Sequence, residues 1–321
     1  MSDRSAGDDA PHVQRLGPLS ASLAVLTAML WGGTAVGSRI AVDAIPPLAL
    51  GGLRFAMAAV FMLVWCRMER SPLGLKRPQW RPAILCGLLL FFQIGTFNLG
   101  TEHSTASHAT LFINTFVFWV AAIEHFITRD HRLNTRQLLG LIVAAAGVVI
   151  LVLQAAGPAA PQTGQTDSAT LLGDLLLLAS GLLLAIKIVY TKRAVRTIHS
   201  GTLILWHDVI GIVLFSIASA AWEDPRSISL TRESGLALLY VGVVISGFCF
   251  AAQAWLLKRH SASAISVFSF STPVFGVTAA VIFRGDVLSP WLFASGLCVA
   301  AGIALVTIDH SNRAKSPDET P

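Results

Sequence analysis

The stretch TASHATLFINTFVFWVAA, which runs from Thr105 to Ala122, matches a second stretch of the same chain without a gap. That second stretch is SASAISVFSFSTPVFGVT, from Ser261 to Thr278. The same alignment places Asp130 on Asp286, and a Gly-Leu pair follows in each copy. Matches at several separated places are improbable by chance, so the sequence predicts that the chain contains two copies of one unit.

The composition indicates where this duplicated chain resides. Charged residues make up 13% of the 321 residues and hydrophobic residues 54%, with a mean hydropathy of +0.67; a soluble domain has about 25% charged residues. Ten apolar runs approach the roughly 20 residues that cross a bilayer. They lie at 20–41, 46–66, 82–99, 105–127, 138–154, 171–190, 200–222, 236–257, 262–283 and 290–308.

These runs predict helices, because membrane barrel strands are shorter and alternate apolar with polar residues. The segment GLIVAAAGVVIL, Gly140–Leu151, is rich in small residues that let membrane helices approach closely. We therefore predict an all-α polytopic membrane protein with ten transmembrane helices.

The repeat assigns five predicted helices to each half. Because five is odd, the second half must be inverted relative to the first, and inverted repeats are typical of secondary transporters. Arg39 aligns with Lys192, and Arg54 with His207, at a slightly shorter offset. The predicted organisation is a tail at 1–19, a first repeat at 20–154, a linker at 155–170, a second repeat at 171–308 and a tail at 309–321.

The basic residues predict the orientation. Most Lys and Arg fall in one alternate set of predicted loops, which includes both tails and the 67–81 loop, whereas the opposite set holds only Arg226, Arg232 and Arg284. Basic loops face the cytoplasm, so both termini are expected there and the linker in the periplasm. Topology thus explains the pI of about 9.3, and no nucleic-acid partner is expected, since that would need one continuous basic surface.

No cofactor or metal is expected. Cys66, Cys86, Cys249 and Cys298 lie in apolar segments without paired spacing, which disfavours disulfides and zinc sites. No Gly-rich nucleotide-binding loop is present, so we expect any transport to draw on a proton or other ion gradient.

The segment LWGGTAVGSRIAVDAIPPLALGGLRFAMAAV, Leu30–Val60, resembles the opening of an EamA domain in the drug/metabolite transporter superfamily. The matching features are Trp31-Gly32, Arg39, Pro46 and Arg54. GDLLLLASGLLLAIKIVYTKR and the region around Pro273 resemble parts of a second such domain. The resemblance implies a multi-pass carrier of small metabolites in the bacterial inner membrane, often an exporter, that works by alternating access.

The fourth predicted span departs from that pattern. Val117 stands where the second half has Pro273, and Glu124 replaces the equivalent Ala280. Glu124 is a candidate for proton or substrate binding; the alternative is contact with Arg129 or water near the cytoplasmic end.

The other polar residues within spans each have a structural and a functional interpretation. Arg39 and Asp43 are spaced for an i,i+4 ion pair. Arg54 lies too deep to reach the interface, and either a structural role or contact with a substrate carboxylate fits. Either interhelical hydrogen bonds or ligand contacts fit the neutral polar residues Gln93, Asn98, Asn114 and Gln253. Either packing or cavity lining fits Trp31 and Trp119.

The stretch LILWHDVIG, Leu203–Gly211, places His207 and Asp208 together in an apolar run. On the antiparallel neighbouring helix, Lys187 is within reach of Asp208, so we expect these two to form a buried ion pair. Without that pair, Asp208 is itself a candidate proton site. His207 points elsewhere on its helix and is the freer candidate for substrate or proton contact, because an imidazole changes charge near neutral pH.

The sequence thus predicts a secondary active exporter of small solutes such as amino acids, other metabolites or drugs. A membrane-embedded enzyme or a non-transporting receptor remains the alternative interpretation.

Overall fold

The computed structural model describes residues 17–128, 134–156, 169–259 and 272–313, and within these ranges it is helical with no β-strand. The α-helices are α1 Pro18–Gly32, α2 Thr34–Val42, α3 Pro47–Glu69, α4 Trp80–Glu102, α5 Ala106–Asn114, α6 Phe116–Ile123, α7 Thr135–Ala156, α8 Leu171–Ala194, α9 Ser200–Trp222, α10 Arg232–Leu239, α11 Phe250–Arg259, α12 Thr272–Arg284 and α13 Pro290–Arg313. Most of the tails 1–19 and 309–321 and of the linker 155–170 lies outside the described residues, as do Arg129, Asp130 and the start of the predicted ninth span.

The chain is a multi-pass membrane protein. Seven described helical segments are long and apolar enough to cross a bilayer, and three shorter apolar helices cover 135–150, 272–284 and 290–305. Each of the ten predicted segments overlaps one of these helices. Large apolar side chains such as Val60, Phe126 and Ile217 face outward, each more than half exposed, as lipid-facing residues would be.

The first span is broken at Gly33, between α1 and α2. The Tyr240 ring packs against this glycine so closely that a Cβ on Gly33 would lie 2.4 Å from the Tyr240 hydroxyl oxygen. The same hydroxyl donates a 2.5 Å hydrogen bond to the Leu30 carbonyl, which also accepts from the Gly33 amide at 3.1 Å. The break therefore exposes Trp31 and Thr34 to the interior of the bundle.

The fourth and eighth spans also depart from regular α-helix, at a depth in the bundle similar to that of Gly33. The fourth span is interrupted at Thr115, whose hydroxyl donates to the Phe112 carbonyl at 2.6 Å. In the eighth span a π-helical stretch, Tyr240–Cys249, lies between α10 and α11. Ser246 there donates to the Val241 carbonyl at 2.9 Å. Such π stretches occur often at functional sites.

Small residues bring α7 and α13 together. A Cβ on Gly147 would lie 2.9 Å from the Cys298 Cβ and from the Ser295 carbonyl oxygen. The Ser295 hydroxyl donates to the Gly147 carbonyl at 2.7 Å. This is the close approach that the Gly/Ala-rich sequence of the fifth segment predicts.

At one end of the bundle, which we call the Glu223 end, polar contacts join the two halves of the chain. It contains the loops 43–46, 103–105, 223–231 and 285–289. The Glu223 carboxylate accepts hydrogen bonds from the Leu48 and Ala49 amides at 2.7 and 2.8 Å, at the start of α3. Asp286 likewise accepts from the Ser107 amide at 2.7 Å. Carboxylates at helix N-termini satisfy unpaired amides and complement the helix dipole.

Asp174 adds a third carboxylate from the second half. It is fully buried and accepts from the Ser104 hydroxyl at 2.6 Å and from His108 Nδ1 at 2.8 Å. The Glu223 end is therefore a continuous polar seam between the halves.

Candidate functional site

An internal cavity of about 110 Å³ lies in the middle of the bundle, large enough for several water molecules. Both halves of the chain line it, and the lining mixes apolar with polar side chains. Its polar and aromatic lining residues are Trp31, Thr34, Arg54, Gln93, Phe97, Asn114, Phe116, Lys187, Thr191, His207, Phe250, Gln253 and Thr272.

The structure brings together most of the candidate residues that the sequence indicates. Six of the substrate or proton candidates line the cavity: Trp31, Arg54, Gln93, Asn114, His207 and Gln253. Lys187, expected to serve only in an ion pair, lines it too. Asn98, Trp119, Glu124 and Asp208 are not part of the lining.

Arg54 is the most unusual of these residues because it is fully buried and only partly hydrogen-bonded. Its Nε donates to the Ser246 hydroxyl at 2.9 Å, which fixes the guanidinium plane. Its Nη1 and Nη2 atoms have no hydrogen-bond partner within the part of the chain that the structure describes. The guanidinium carbon also lies 5.3 Å from the centre of the Phe55 ring. Burying cationic N–H donors without an acceptor is costly, which makes Arg54 a candidate for ligand binding.

Lys187 reaches the cavity from α8. Its Nζ donates to the Gln93 Oε1 at 3.0 Å and lies 4.7 Å from the centre of the Phe250 ring. Gln93 is held by Ser180, which accepts from its Nε2 at 3.1 Å and donates to its backbone carbonyl at 2.8 Å. The amide orientation of Gln93 follows from this network and directs its oxygen at the lysine.

The structure departs from the expected Lys187–Asp208 ion pair, since no contact within 4 Å joins these two described residues. Lys187 binds Gln93 instead, because Gln93 on α4 presents its amide oxygen nearer to the amine. Asp208 is fully buried, and its Oδ1 lies 3.1 Å from His207 Nδ1. The Nδ1 proton is directed at the Ile204 carbonyl, 2.7 Å away, so the carboxylate receives no hydrogen bond from a described residue. His207 and Asp208, expected to face different regions, are therefore in contact.

The remaining charged candidates lie away from the cavity. Arg39 forms an ion pair with Asp43, which also binds Arg284 Nη1 at 2.6 Å and so links the two halves. Glu124 is buried and pairs with Lys192 Nζ at 3.1 Å, another link between the halves.

Asn98 and Trp119 lie elsewhere in the interior. The Asn98 Nδ2 donates to the Pro47 carbonyl at 2.9 Å, next to the start of α3, and its side chain is fully buried. The Trp119 Nε1 is buried without a hydrogen-bond partner in the described ranges. Asn98 thus links α4 to the first turn of α3.

Several cavity residues were not identified from the sequence. Phe97, Phe116 and Phe250 form aromatic walls, and Thr34 and Thr191 add hydroxyls. Phenylalanines and threonines are common throughout apolar helices, so their types alone give no signal. Helix breaks are the better indicator of cavity residues, because Thr34 and Phe116 are each the first residue of a helix that follows a break.

The EamA-like transporter family matches residues 18–153 and again 171–308. The chain belongs to this family. The double match also shows that its two halves are copies of one domain, within the drug/metabolite transporter superfamily.

Relatives cover nearly the whole chain. The protein is 23% identical over 286 residues to the "Uncharacterized transporter YoaV" of Bacillus subtilis, covering 89% of this chain and 95% of the relative. It is 26% identical over 298 residues to the "Probable amino-acid metabolite efflux pump" of Salmonella typhimurium, covering 88% and 92%. It is 26% identical over 303 residues to the "Uncharacterized inner membrane transporter YedA" of Escherichia coli, covering 92% of each.

A solved structure described as "Crystal structure of protein" has the same fold. It is 18% identical, with a TM-score of 0.67 over 90% of this chain and 97% of the other. Family and relatives together identify this protein as a transporter of the drug/metabolite transporter superfamily.

Proposed function

We propose that this protein is a secondary active exporter of small metabolites across the bacterial inner membrane. The observation that carries the proposal is the central cavity, because residues from both homologous halves line it, including Arg54 and Asn114 from the first and Lys187 and Gln253 from the second. A site between two related halves is where transporters built from repeats bind their solutes. The name of the Salmonella relative, "Probable amino-acid metabolite efflux pump", supports the export of small metabolites.

Alternating access between two inverted five-helix repeats is the proposed mechanism. The polar seam at the Glu223 end would close one side of the cavity. The cavity itself extends to Thr191, close to the last residue of α8 at Ala194, and to Ala254 in α11. Access would therefore be from the end opposite the Glu223 end, and rearrangement of the seam would open the other side.

We place both termini and the 67–81 loop in the cytoplasm and the Glu223 end in the periplasm, because of the distribution of basic residues. Reporter fusions after Gly164 and after Lys76 test this topology. A periplasmic signal at Gly164 with a cytoplasmic signal at Lys76 is expected. A cytoplasmic signal at Gly164 would refute the inverted repeat.

We propose coupling to the proton gradient, with Glu124, His207 and Asp208 as candidate proton sites. If Glu124 carries the proton, Glu124→Gln abolishes transport driven by a pH gradient and leaves solute exchange nearly intact. Equal loss of both activities would assign Glu124 a structural role through its ion pair with Lys192.

Transport itself is tested by reconstituting the purified protein in liposomes and screening amino acids, organic acids, nucleosides and drugs for protein-dependent flux. Saturable flux of at least one class supports the proposal. Binding of a solute without flux would favour a receptor, and conversion of a solute would favour an enzyme.

A further inference from the structure

The cavity presents donors for an anion and lacks a carboxylate for a cation. Within the part of the chain that the structure describes, Arg54 Nη1 and Nη2 have no hydrogen-bond partner, and Lys187 donates one hydrogen bond, to Gln93. None of the described residues that line the cavity is Asp or Glu. The segment 260–271, which precedes α12, contains no Asp or Glu in its sequence either.

Neighbouring side chains position both donors, Arg54 and Lys187. Ser246, in the π-helical stretch, fixes the Arg54 Nε, and the Ser180–Gln93 pair fixes the acceptor of Lys187. A planar guanidinium with one edge fixed and its Nη atoms free matches the two oxygens of a carboxylate. An amine donates hydrogen bonds in either protonation state, so Lys187 can serve the same carboxylate.

Asp208 does not already fill this role. Asp208 is fully buried next to the cavity residue His207, and an ion pair with Arg54 or Lys187 would occupy their donors. Even so, it makes no ion pair within 4 Å with either of them and does not line the cavity. Because the Arg54 Nη atoms are fully buried, an arriving carboxylate would reach them after a local shift of neighbouring side chains, without displacing a hydrogen-bond partner among the described residues.

The rest of the wall selects against a second charge. Among the described residues it consists of aromatic and aliphatic side chains, including Trp31, Phe97 and Phe250, with neutral amides, hydroxyls and the His207 imidazole. An α-ammonium group buried against these described side chains would meet neutral oxygens, ring faces and an imidazole but no carboxylate, and burying a charge without an opposite charge is unfavourable.

We propose that the cavity binds small apolar monocarboxylates, with the carboxylate held by Arg54 and Lys187, in preference to zwitterionic amino acids of the same carbon skeleton. This inference rests on the proposed transport function, whose substrate class it narrows.

Matched ligand sets test the preference. Three skeletons are each offered as acid, amino acid and amine: propanoate, alanine and ethylamine; 4-methylpentanoate, leucine and 3-methylbutylamine; 3-phenylpropanoate, phenylalanine and 2-phenylethylamine. Binding to the purified full-length protein is measured at pH 7.5 by thermal shift and calorimetry, with sodium chloride as the inorganic-anion control. At least one acid is expected to bind at least about tenfold more tightly than its amino acid, and no amine is expected to bind.

Substitutions test the assigned residues. Arg54→Met should weaken acid binding by about tenfold or more, the scale of a hydrogen bond to a charged group. Arg67→Met, on the exposed face of the same helix, should leave acid binding unchanged. If Arg54→Met does not fold, Lys187→Met and Ser246→Ala provide the same comparison, each weakening acid binding more than amino acid binding.

Four results would overturn the inference: no binding by any acid, equal or tighter binding of the amino acids, an equal effect of chloride, or unchanged acid binding in the substituted proteins. Its failure is distinct from failure of the transport proposal. Flux of leucine without binding of 4-methylpentanoate refutes the substrate class alone, whereas acid binding without flux of any solute refutes transport alone.

Discussion

Glu223 is predicted to stabilise the protein by joining its two halves. Each carboxylate oxygen accepts one amide of the first turn of α3, at 2.7 Å from Leu48 N and 2.8 Å from Ala49 N. Glu223→Gln keeps one acceptor but turns an NH₂ group toward the second amide. It therefore removes one hydrogen bond to a charged group, about 1.5–3 kcal/mol, and a helix-dipole interaction of about 0.3–1 kcal/mol.

The expected total is a loss of about 2–4 kcal/mol. At roughly 2 °C per kcal/mol for a chain of this size, the apparent Tm in detergent should fall by roughly 4–8 °C. Glu102→Gln is the matched control, because Glu102 is an exposed glutamate in the same region, at the end of α4. If the two variants melt at the same temperature, Glu223 does not hold the halves together and the proposed seam is refuted.

Two further predictions concern packing and the cavity network. Gly147→Ala should lower the free energy of unfolding by about 1–3 kcal/mol, because the added methyl group overpacks against α13. Gly235→Ala is the control, since Gly235 has open space around it, and it should not lower stability. Equal melting temperatures of the two variants would contradict the close packing of α7 and α13. In double-mutant cycles followed by thermal melting, Lys187→Met should couple more strongly to Gln93→Leu than to Asp208→Asn, because Lys187 contacts Gln93. Stronger coupling to Asp208 would restore the pair that the sequence indicated.

The membrane fold was largely predictable from the sequence, because hydrophobic run length and the internal repeat are properties of the chain alone. Seven described spans and the shorter apolar helices fall on the predicted segments, and the family match confirms the duplication. Where the helices break was less predictable. The break at Gly33 depends on Tyr240, which is distant in sequence.

The cavity was predictable only in part, because contacts between residues that are distant in sequence decide which side chains line it. Depth within a span drew attention to Arg54 and His207, which both line the cavity, but depth does not reveal which polar neighbour is nearest. Lys187 lies within reach of both Gln93 and Asp208 along the helix axis, and the packing of α4 against α8 decides for Gln93. Helix rotation and packing depend on contacts between all the spans, which a single helix sequence does not specify.

We propose that solutes pass through the cavity between the two halves. Solute counterflow in liposomes tests it most directly, with wild-type protein, with Thr34→Phe, which places a ring in the cavity, and with Val60→Phe on the exposed face of α3. We expect saturable counterflow with the wild-type protein and with Val60→Phe. We expect no counterflow with Thr34→Phe, provided that this variant is folded. Undiminished counterflow in Thr34→Phe would show that the solute takes another route.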